Sequence, residues 1–306
     1  MRVRTPNYFQ RGFNPYKPIE KTIEDLEDGE LDLEGANLRD AELVSHELED
    51  YNLSYADLRN ANLHDAYFNR TKLTGADLRG ADLSNANLDG VDLKGATLEG
   101  ANLVGAELND ADFDGVNLQG ANMDSIRGRD ANFRNSNLKS VNLNSSDVDR
   151  TDFRGANLQD SSMKETDAVD ANFEGADLRR VDFQSSTLNE AKLTDANLEN
   201  ANFQEATLDS AQLVRANLEG ANLQSADLDD ANFSFANLRN ANLSEITYMR
   251  RTVFHQANLS GVKLFSDDDD DDDDGDGFLR DADFRGAIGL TNEQKKRIEE
   301  LGGIVE

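Results

Sequence analysis

Hydrophobic positions recur every five residues along most of the chain. Within 196–245, ten consecutive five-residue windows each carry Ala, then a polar residue that is usually Asn or Asp, then Leu or Phe. The same register begins near Leu31 and continues to Tyr248. A helix needs apolar positions about 3.6 residues apart and a flat strand needs every second one, so neither element fits. The pattern predicts short extended pieces that are each followed by a turn.

Each window offers two inward positions and three outward ones. Ala36 and Leu38 lie two residues apart, as on one face of a strand; Asn37 lies between them, and two polar residues follow before the next pair. Four such corners close a square coil, so residues 20 apart should stack at the strand spacing of about 4.8 Å. A stacked unit of this kind contacts only its neighbours. We therefore expect a solenoid with one coil per 20 residues.

The pattern A(D/N)LXX resembles the pentapeptide repeat family, and the resemblance covers about three quarters of the chain. It implies an all-β fold, a right-handed quadrilateral parallel β-helix (β-solenoid), with the central Leu or Phe and the preceding Ala inward. We expect short capping helices at both ends. Functions in the family are diverse. One branch, of the quinolone-resistance type, mimics duplex DNA and binds type II topoisomerases, so the fold transfers better than the function.

The central residues sort into four walls, one for each side of the square. The first to fourth walls start at Leu33, Leu38, Leu43 and Leu48 and continue with every twentieth residue. The first wall should contain a phenylalanine ladder, formed by Phe113, Phe133, Phe153 and Phe173. Beside it the fourth wall has only small central residues, at Gly128, Val148 and Ala168, and we expect Ile126 to fill that layer.

Hydroxyl residues replace the inward Ala in the same region, and buried hydroxyls need hydrogen-bond partners. These residues are Ser136, Ser146, Thr151, Ser161, Thr166 and Ser186.

Composition shifts divide the chain into seven segments. We predict an N-terminal arm (1–18), a capping helix (19–30), the repeat β-helix (31–248), frame-shifted repeats (249–265), an Asp-rich acidic loop (266–277), final repeats (278–290) and a C-terminal capping helix with a tail (291–306). The arm mixes cations with aromatics, which fits either a docking arm or a segment that lies on the protein's own acidic wall. In the tail, Thr291 and Gln294 form a capping-box signature, and Gly302 should follow the end of the helix.

The formal charge is −30, from 61 acidic and 31 basic residues. Adaptation to molar salt is one interpretation, because the Debye length falls to about 3 Å at 1 M and repulsion then costs little. DNA mimicry is the other. We favour salt adaptation, and we expect a cytoplasmic location, since the N-terminus lacks a signal-like apolar run.

Acidic residues concentrate on the outward side of the fourth wall, whereas the second wall carries more arginines. The fourth wall could steer a cationic partner. The candidate partner-binding residues are Glu47, Glu49, Asp89, Asp110, Asp130, Asp149, Asp170, Asp209 and Asp229.

The chain offers little for catalysis or for a cofactor. It has no cysteine and three histidines, of which His46 occupies an inward position, His64 is outward and isolated, and His255 follows a frame slip near Tyr248. No Ser–His–Asp spacing or phosphate-binding loop is evident. A weak calcium-loop match is formed by Asp270, Asp272, Asp274, Asp276 and Asp281. We predict no enzyme activity and no cofactor.

The sequence thus favours a non-catalytic scaffold or protein-binding module. The alternative is a DNA mimic that binds a type II topoisomerase. We expect a protein partner, no direct binding of nucleic acid, no membrane association, and a monomer or a dimer formed through the C-terminal end.

Overall fold

The computed structural model describes residues 32–265 and 278–306. The chain divides into two compact units, unit 1 (Met1–Asp152) and unit 2 (Phe153–Glu306). Each unit is described by itself below. The predicted arm and N-terminal helix (1–30) and the predicted acidic loop (266–277) lie outside the described residues.

Both units consist of stacked coils held by parallel pairing between residues 20 apart. The strands are single bridge residues at every fifth position, such as Asn37 paired with Asp57 in unit 1 and Asn217 paired with Asn237 in unit 2. At each bridge the backbone bonds twice to the next coil. The Leu38 N–H donates to the Asp57 carbonyl (2.8 Å) and the Asp57 N–H donates to the Ala36 carbonyl (2.9 Å). The predicted parallel β-helix with four windows per coil is confirmed.

Every corner depends on a left-handed backbone conformation. The fifth residue of each window has a positive φ from Gly35 to Glu245, and the turn closes through a bond such as Ala41 N–H to the Leu38 carbonyl (3.1 Å). A positive φ at the third residue of a turn is typical of type II turns and favours Gly, Asn and Asp. The pentapeptide period therefore reflects the turn as much as the core.

Aromatic residues occupy two of these corners, Tyr55 and Phe235. The Tyr55 ring covers Gly75 in the next coil, where an added Cβ would lie 2.6 Å from the ring. Gly75 thus provides the space for Tyr55 as well as the positive φ of its own corner.

The inward columns are fully buried in both units. Phe113 stacks on Phe133 in unit 1 with ring centroids 4.6 Å apart, and Phe153 stacks on Phe173 in unit 2 at 4.9 Å. Ile126 fills the layer at Gly128, because its Cδ1 lies 3.5 Å from where a Cβ of Gly128 would be. This confirms that the region is repacked with different side chains.

Most inward hydroxyls find backbone partners, as expected. Ser146 enters the corner below it: its Oγ donates to the Met123 carbonyl (3.0 Å) and accepts the Ile126 N–H (3.2 Å). Ser186 is bonded in the same way to the Met163 carbonyl and the Thr166 N–H in unit 2. Among the described residues, Ser161 is an exception, since its buried hydroxyl lacks a partner.

The frame slip lies earlier than the sequence predicted. Tyr248 was expected to keep the inward register, but its side chain is 44% exposed and it pairs with Asp227 on the outer surface. Met249 takes the inward position instead. The extra residue is therefore accommodated at Ile246–Thr247, and the boundary placed after Tyr248 moves before it. Leu279 and Phe284 are buried in the new frame, as predicted.

Two arginine–aspartate pairs hold the slipped coil to the coil before it. Asp229 is 7% exposed and accepts bonds from the Arg250 backbone N–H (2.8 Å), its Nε (2.8 Å) and its Nη2. Arg251 pairs with Asp230 beside it. Asp229 thus binds both the turn N–H of the next coil and the side chain of the arginine that carries it.

The C-terminal end carries the expected capping helix, α1 (Asn292–Glu300). Thr291 and Gln294 form the predicted capping box, and Gly302 follows the helix with φ of 91°. Ile298 is buried, and the Gln294 amide donates to the Val262 carbonyl (3.1 Å), so α1 covers the neighbouring coil. Within residues 32–265 and 278–306, no helix has the length and the apolar character that crossing a membrane requires.

Replacing Leu138 by Ala should destabilise unit 1 by about 3 kcal/mol, because the close-packed column cannot collapse around the cavity. Leu138 is fully buried. Urea unfolding followed by circular dichroism measures the loss. The exposed residue Gln119 provides a control, Gln119→Ala, for which we expect a change below about 0.5 kcal/mol. Equal effects of the two variants would contradict the packing argument.

Replacing Arg250 by Ala should destabilise unit 2 by about 2 kcal/mol, since it leaves the buried Asp229 carboxylate without its cation. The control is Arg215→Ala, which breaks a pair with the half-exposed Asp195 and should destabilise the unit less than Arg250→Ala does, because solvent screens the exposed pair. Chemical unfolding at pH 7 compares the two. If Arg215→Ala proves the more damaging, the buried pair does not hold the slip.

Candidate functional site

The outward surface is a lattice of polar side chains that are bonded to the backbone and to one another. On the first three walls, Asn or Asp at the second position of a window caps the turn of its own window. For example, the Arg39 N–H donates to Asn37 Oδ1 (3.2 Å), and the Ser244 N–H donates to Asn242 Oδ1 (3.1 Å). Such Asx bonds satisfy a turn N–H locally. This explains why the repeat places Asn or Asp before its central residue.

The same side chains also join successive coils. In unit 2 the Asn237 amide donates to Asn217 Oδ1 (2.9 Å), and Asn217 donates to Asn197 Oδ1 (3.1 Å). Ladders of this kind are a known feature of stacked in-register strands. The second position therefore serves the turn and the stacking together.

On the fourth wall the turn N–H is often bonded to a different side chain. Its second positions often lack Asn or Asp, and the turn N–H is then captured by the fourth-position side chain of the coil before. In unit 1 the Asn109 N–H donates to Asp89 Oδ1 (2.8 Å), and the Arg129 N–H donates to Asn109 Oδ1 (3.1 Å). In unit 2 the Asp209 N–H donates to Asn189 Oδ1 (3.1 Å). Two predicted partner-binding residues, Asp89 and Asp229, thus accept a turn N–H of the next coil and have a role in the fold.

Five of the nine candidate partner-binding residues contact a basic side chain. In order along the chain, the pairs are Glu49 with Arg70 (3.8 Å), Asp130 with Arg150 (2.6 Å), Asp149 with Arg129 (3.7 Å), Asp170 with Lys192 (2.9 Å) and Asp229 with Arg250. Four of these five cations belong to the fourth wall itself. The contrast between an acidic fourth wall and an arginine-bearing second wall is therefore weaker than the sequence indicated.

Arginine–aspartate pairs recur at corners one coil apart. Arg70 reaches Asp50 with two bonds (2.7 and 2.8 Å), and Arg215 reaches Asp195 with two bonds (2.7 and 2.6 Å). The hydrogen bonds from these arginines lower the pKa of each carboxyl below its usual value. Such exposed pairs contribute little to stability, but they neutralise charge at fixed positions. Arginines of the second wall pair instead with the aspartate of their own window, as Arg179 does with Asp177.

Three candidate residues in unit 1 keep their carboxylates free of basic partners among the described residues. They are Glu47, Asp89 and Asp110. Glu47 and Asp110 are exposed, and Asp89 is half-buried and bonded to the Asn109 amide (3.1 Å). On the fourth wall of unit 1, the negative charge available to a partner is therefore concentrated at these three residues.

In unit 2 the candidate residue Asp209 lies in a group of carboxylates near the frame slip. Its carboxylate accepts the Ser210 hydroxyl (2.8 Å). Burial raises the pKa of the neighbouring Asp227, and the charges of Asp229 and Asp209 raise it further, against a backbone bond that lowers it. Repulsion from Asp229 and Asp209 thus makes the ionisation of Asp227 less favourable, although Arg250 and Arg251 are adjacent.

The histidines differ in their surroundings. His46 Nδ1 lies 3.2 Å from the Val44 carbonyl, and His255 Nδ1 lies 3.1 Å from the Arg285 carbonyl. His64 is not isolated, which corrects the sequence interpretation. Its Nδ1 lies 2.9 Å from Ser84 Oγ and its Nε2 lies 3.1 Å from Asp65. The 20-residue stacking rule could have revealed this, because Ser84 is one coil beyond His64.

No cluster of His, Asp and Glu that could hold a metal ion occurs in the part of the chain that the structure describes. Of the calcium-loop candidates, Asp270, Asp272, Asp274 and Asp276 lie outside the described residues. Asp281 is a corner residue with φ of 61°, and Arg280 lies 3.6 Å from its carboxylate. The calcium loop remains a prediction.

Two repeat models match the chain. A model of a pentapeptide repeat region matches residues 136–213, and a model of eight pentapeptide repeats matches residues 52–90, 92–127 and 207–245. Together they span more than half of the chain. Among curated protein sequences, none matches.

Several solved structures are similar to the chain. HetL, a pentapeptide repeat protein involved in heterocyst differentiation regulation in the cyanobacterium Nostoc sp. strain PCC 7120, is 30% identical, with 78% of this chain and 98% of HetL covered and a TM-score of 0.41. A trypsin-treated variant of QnrB1, a plasmid-mediated fluoroquinolone resistance protein, is 17% identical, with 73% and 94% covered and a TM-score of 0.37. A pentapeptide repeat protein of the Arabidopsis thaliana thylakoid lumen is 27% identical, with 43% and 80% covered and a TM-score of 0.23.

The family follows from the repeat models, which together cover more than half of the chain. The four-sided parallel coils of both units agree with it. The chain is a member of the pentapeptide repeat family and has its fold, the right-handed quadrilateral β-helix.

Proposed function

We propose that the protein is a non-catalytic binding module whose fourth wall in unit 1 contacts another protein. The observation that carries this proposal is the set of three carboxylates, Glu47, Asp89 and Asp110, that have no basic partner among the described residues, whereas the other candidate residues of this wall in unit 1 have one. The coil spacing places them at multiples of about 4.8 Å along the wall. Fixed charges in such an array favour a partner with basic side chains, since complementary potentials speed encounter and set register.

A DNA mimic that binds a type II topoisomerase is the second candidate. The formal charge of −30 supports it. The arginines of the fourth wall weigh against it, because Arg70, Arg129 and Arg150 interrupt any phosphate-like row in unit 1. We therefore rank a different protein partner first.

The strong acidity also supports adaptation to high salt, and we propose a cytoplasmic location. Both are independent of the choice of partner. The physical basis of the salt adaptation is that a net charge far from zero destabilises a compact state through self-repulsion, and that salt screens this repulsion.

Neutralising the three free carboxylates should abolish partner capture. The variant Glu47→Gln, Asp89→Asn, Asp110→Asn keeps the size of each side chain and the acceptor oxygen at Asp89. The matched control, Glu34→Gln, Glu99→Gln, Asp124→Asn, removes the same charge from the three other walls of unit 1. Co-purification from lysate of the native host at near-host salt, with quantitative mass spectrometry, should show a protein that is lost tenfold or more with the first variant and kept with the control.

Loss of that protein with both variants would show a general effect of charge and would contradict the assignment of the wall. Inhibition of DNA supercoiling by a purified type II topoisomerase, in the presence of the wild-type chain and not of the first variant, would favour the second candidate instead.

Raising KCl from 0.1 to 2 M should increase the melting temperature by several degrees. The Debye length falls from about 10 Å to less than 3 Å over this range, so repulsion among surplus carboxylates is screened. Differential scanning calorimetry measures the shift. An unchanged or lower melting temperature would contradict salt adaptation as the reason for the acidity.

A further inference from the structure

Two places on the fourth wall, one in each unit, carry nearly the same residues in two successive coils. In unit 1 they are residues 47–50 (ELED) and, one coil later, residues 67–70 (YFNR). In unit 2 they are residues 227–230 (DLDD) and 248–251 (YMRR). In each unit a parallel bridge joins the first residue of the acidic run to the tyrosine. The two places can therefore be compared position by position.

In unit 2 this arrangement holds an arginine side chain. The guanidinium carbon of Arg250 lies 4.8 Å from the centroid of the Tyr248 ring, and Arg250 Nε donates to the Asp229 carboxylate (2.8 Å). An aromatic face and a carboxylate attract a guanidinium through a cation–π contact and charge-assisted hydrogen bonds. The fourth wall therefore accommodates a guanidinium between a tyrosine and the acidic residues of the coil before it.

In unit 1 the position of that arginine is taken by Asn69, which carries no charge. The corner pair is kept, since Arg70 donates to Asp50 (2.7 and 2.8 Å) as the last residue of the unit 2 group does to its aspartate. Asn69 Oδ1 is buried without a hydrogen-bond partner, and Tyr67 is 46% exposed. The unit 1 group thus keeps the aromatic ring and the carboxylates of the unit 2 group but lacks its arginine.

Two carboxylates beside Tyr67 are open to a cation. Glu47 precedes it by one coil, at the strand spacing of about 4.8 Å, is exposed and has no basic partner among the described residues. Glu49 is also exposed, and Arg70 Nη2 approaches it only to 3.8 Å because the hydrogen bonds of Arg70 go to Asp50. An exposed pair at such a distance is weak. A cation over the Tyr67 ring therefore gains from both carboxylates.

We propose that Tyr67, Glu47 and Glu49 form a binding site for an arginine side chain of the protein partner. The guanidinium stacks on Tyr67 and pairs with the carboxylates, as Arg250 does on Tyr248 in unit 2. Arginine is favoured over lysine, because its planar guanidinium stacks on aromatic rings and donates two parallel hydrogen bonds to a carboxylate. The site rests on the proposed function, since it lies on the same wall, and it names the side chain that this wall recognises.

The test is titration of the full chain with N-acetylarginine amide, followed by NMR of the tyrosine rings, with the Tyr67 signals assigned by their loss in Tyr67→Phe. We expect a saturable shift of these signals, and binding of N-acetyllysine amide that is weaker by about threefold or more. Two exposed tyrosines are internal controls. Tyr55 is 65% exposed but its counterparts one coil before and after are glycines, and Tyr248 already holds Arg250. Their signals should shift about threefold less or not at all.

Variants separate the site from general charge. Asn69→Arg should abolish the shift of the Tyr67 signals, because the chain then fills the site with a guanidinium of its own. Gln119→Arg adds the same charge on the second wall, at an exposed position, and should leave the shift unchanged. Glu47→Gln combined with Glu49→Gln should weaken binding about threefold or more, since it removes the ion pairs. Urea unfolding verifies that each variant is folded.

The two arginine variants also connect the site to the proposed function. The protein that is lost from lysate when Glu47, Asp89 and Asp110 are neutralised should be lost about tenfold with Asn69→Arg, as for a central contact residue, and kept with Gln119→Arg. Its retention with Asn69→Arg would overturn the arginine site and leave the proposed function intact. Failure to capture any such protein would contradict the proposed function, and the titration alone then decides the site. Equal shifts of the Tyr67 and Tyr55 signals, or wild-type binding in Asn69→Arg, would overturn it.

Discussion

Pairing between residues 20 apart is the constraint on which the rest of the structure depends. Each bridge uses a backbone N–H and a backbone carbonyl of the next coil, and every window ends in a corner with positive φ. Once these corners are set, a side chain meets its counterpart one coil away at strand spacing. The phenylalanine stacks, the asparagine ladders and the arginine–aspartate corner pairs all follow from this single repeat distance.

The same constraint explains how the surface combines structural and functional roles. Where the second position of a window is Asn or Asp, its side chain satisfies the turn, and the fourth position is free to vary. On the fourth wall, Glu107, Arg127 and Thr207 break that rule, and fourth-position side chains take over the bonding. Acidic residues there cannot all be counted as binding residues, because some of them hold the backbone.

The frame slip shows how the lattice tolerates an insertion. An extra residue at Ile246–Thr247 leaves the backbone bonds from Leu228 to Tyr248 and from Asp230 to Arg250 in place, and Asp229 accepts the Arg250 turn N–H as fourth-position side chains do elsewhere on this wall. A buried charge is costly unless it is paired. The pair therefore occurs where the register is broken, while exposed corner pairs elsewhere leave the register unchanged.

The period of five and the choice of Ala, Asn and Leu determined the fold, the walls and the inward columns, because repetition makes local pattern and global packing equivalent. The capping box of Thr291 and Gln294 determined the C-terminal helix. The sequence also predicted the partnering of inward hydroxyls and the filling of the Gly128 layer. The tertiary structure alone decided which carboxylates are neutralised and that Met249 and not Tyr248 turns inward. Those outcomes depend on contacts between coils, where side-chain reach and hydrogen-bond direction select one partner among several that the register allows.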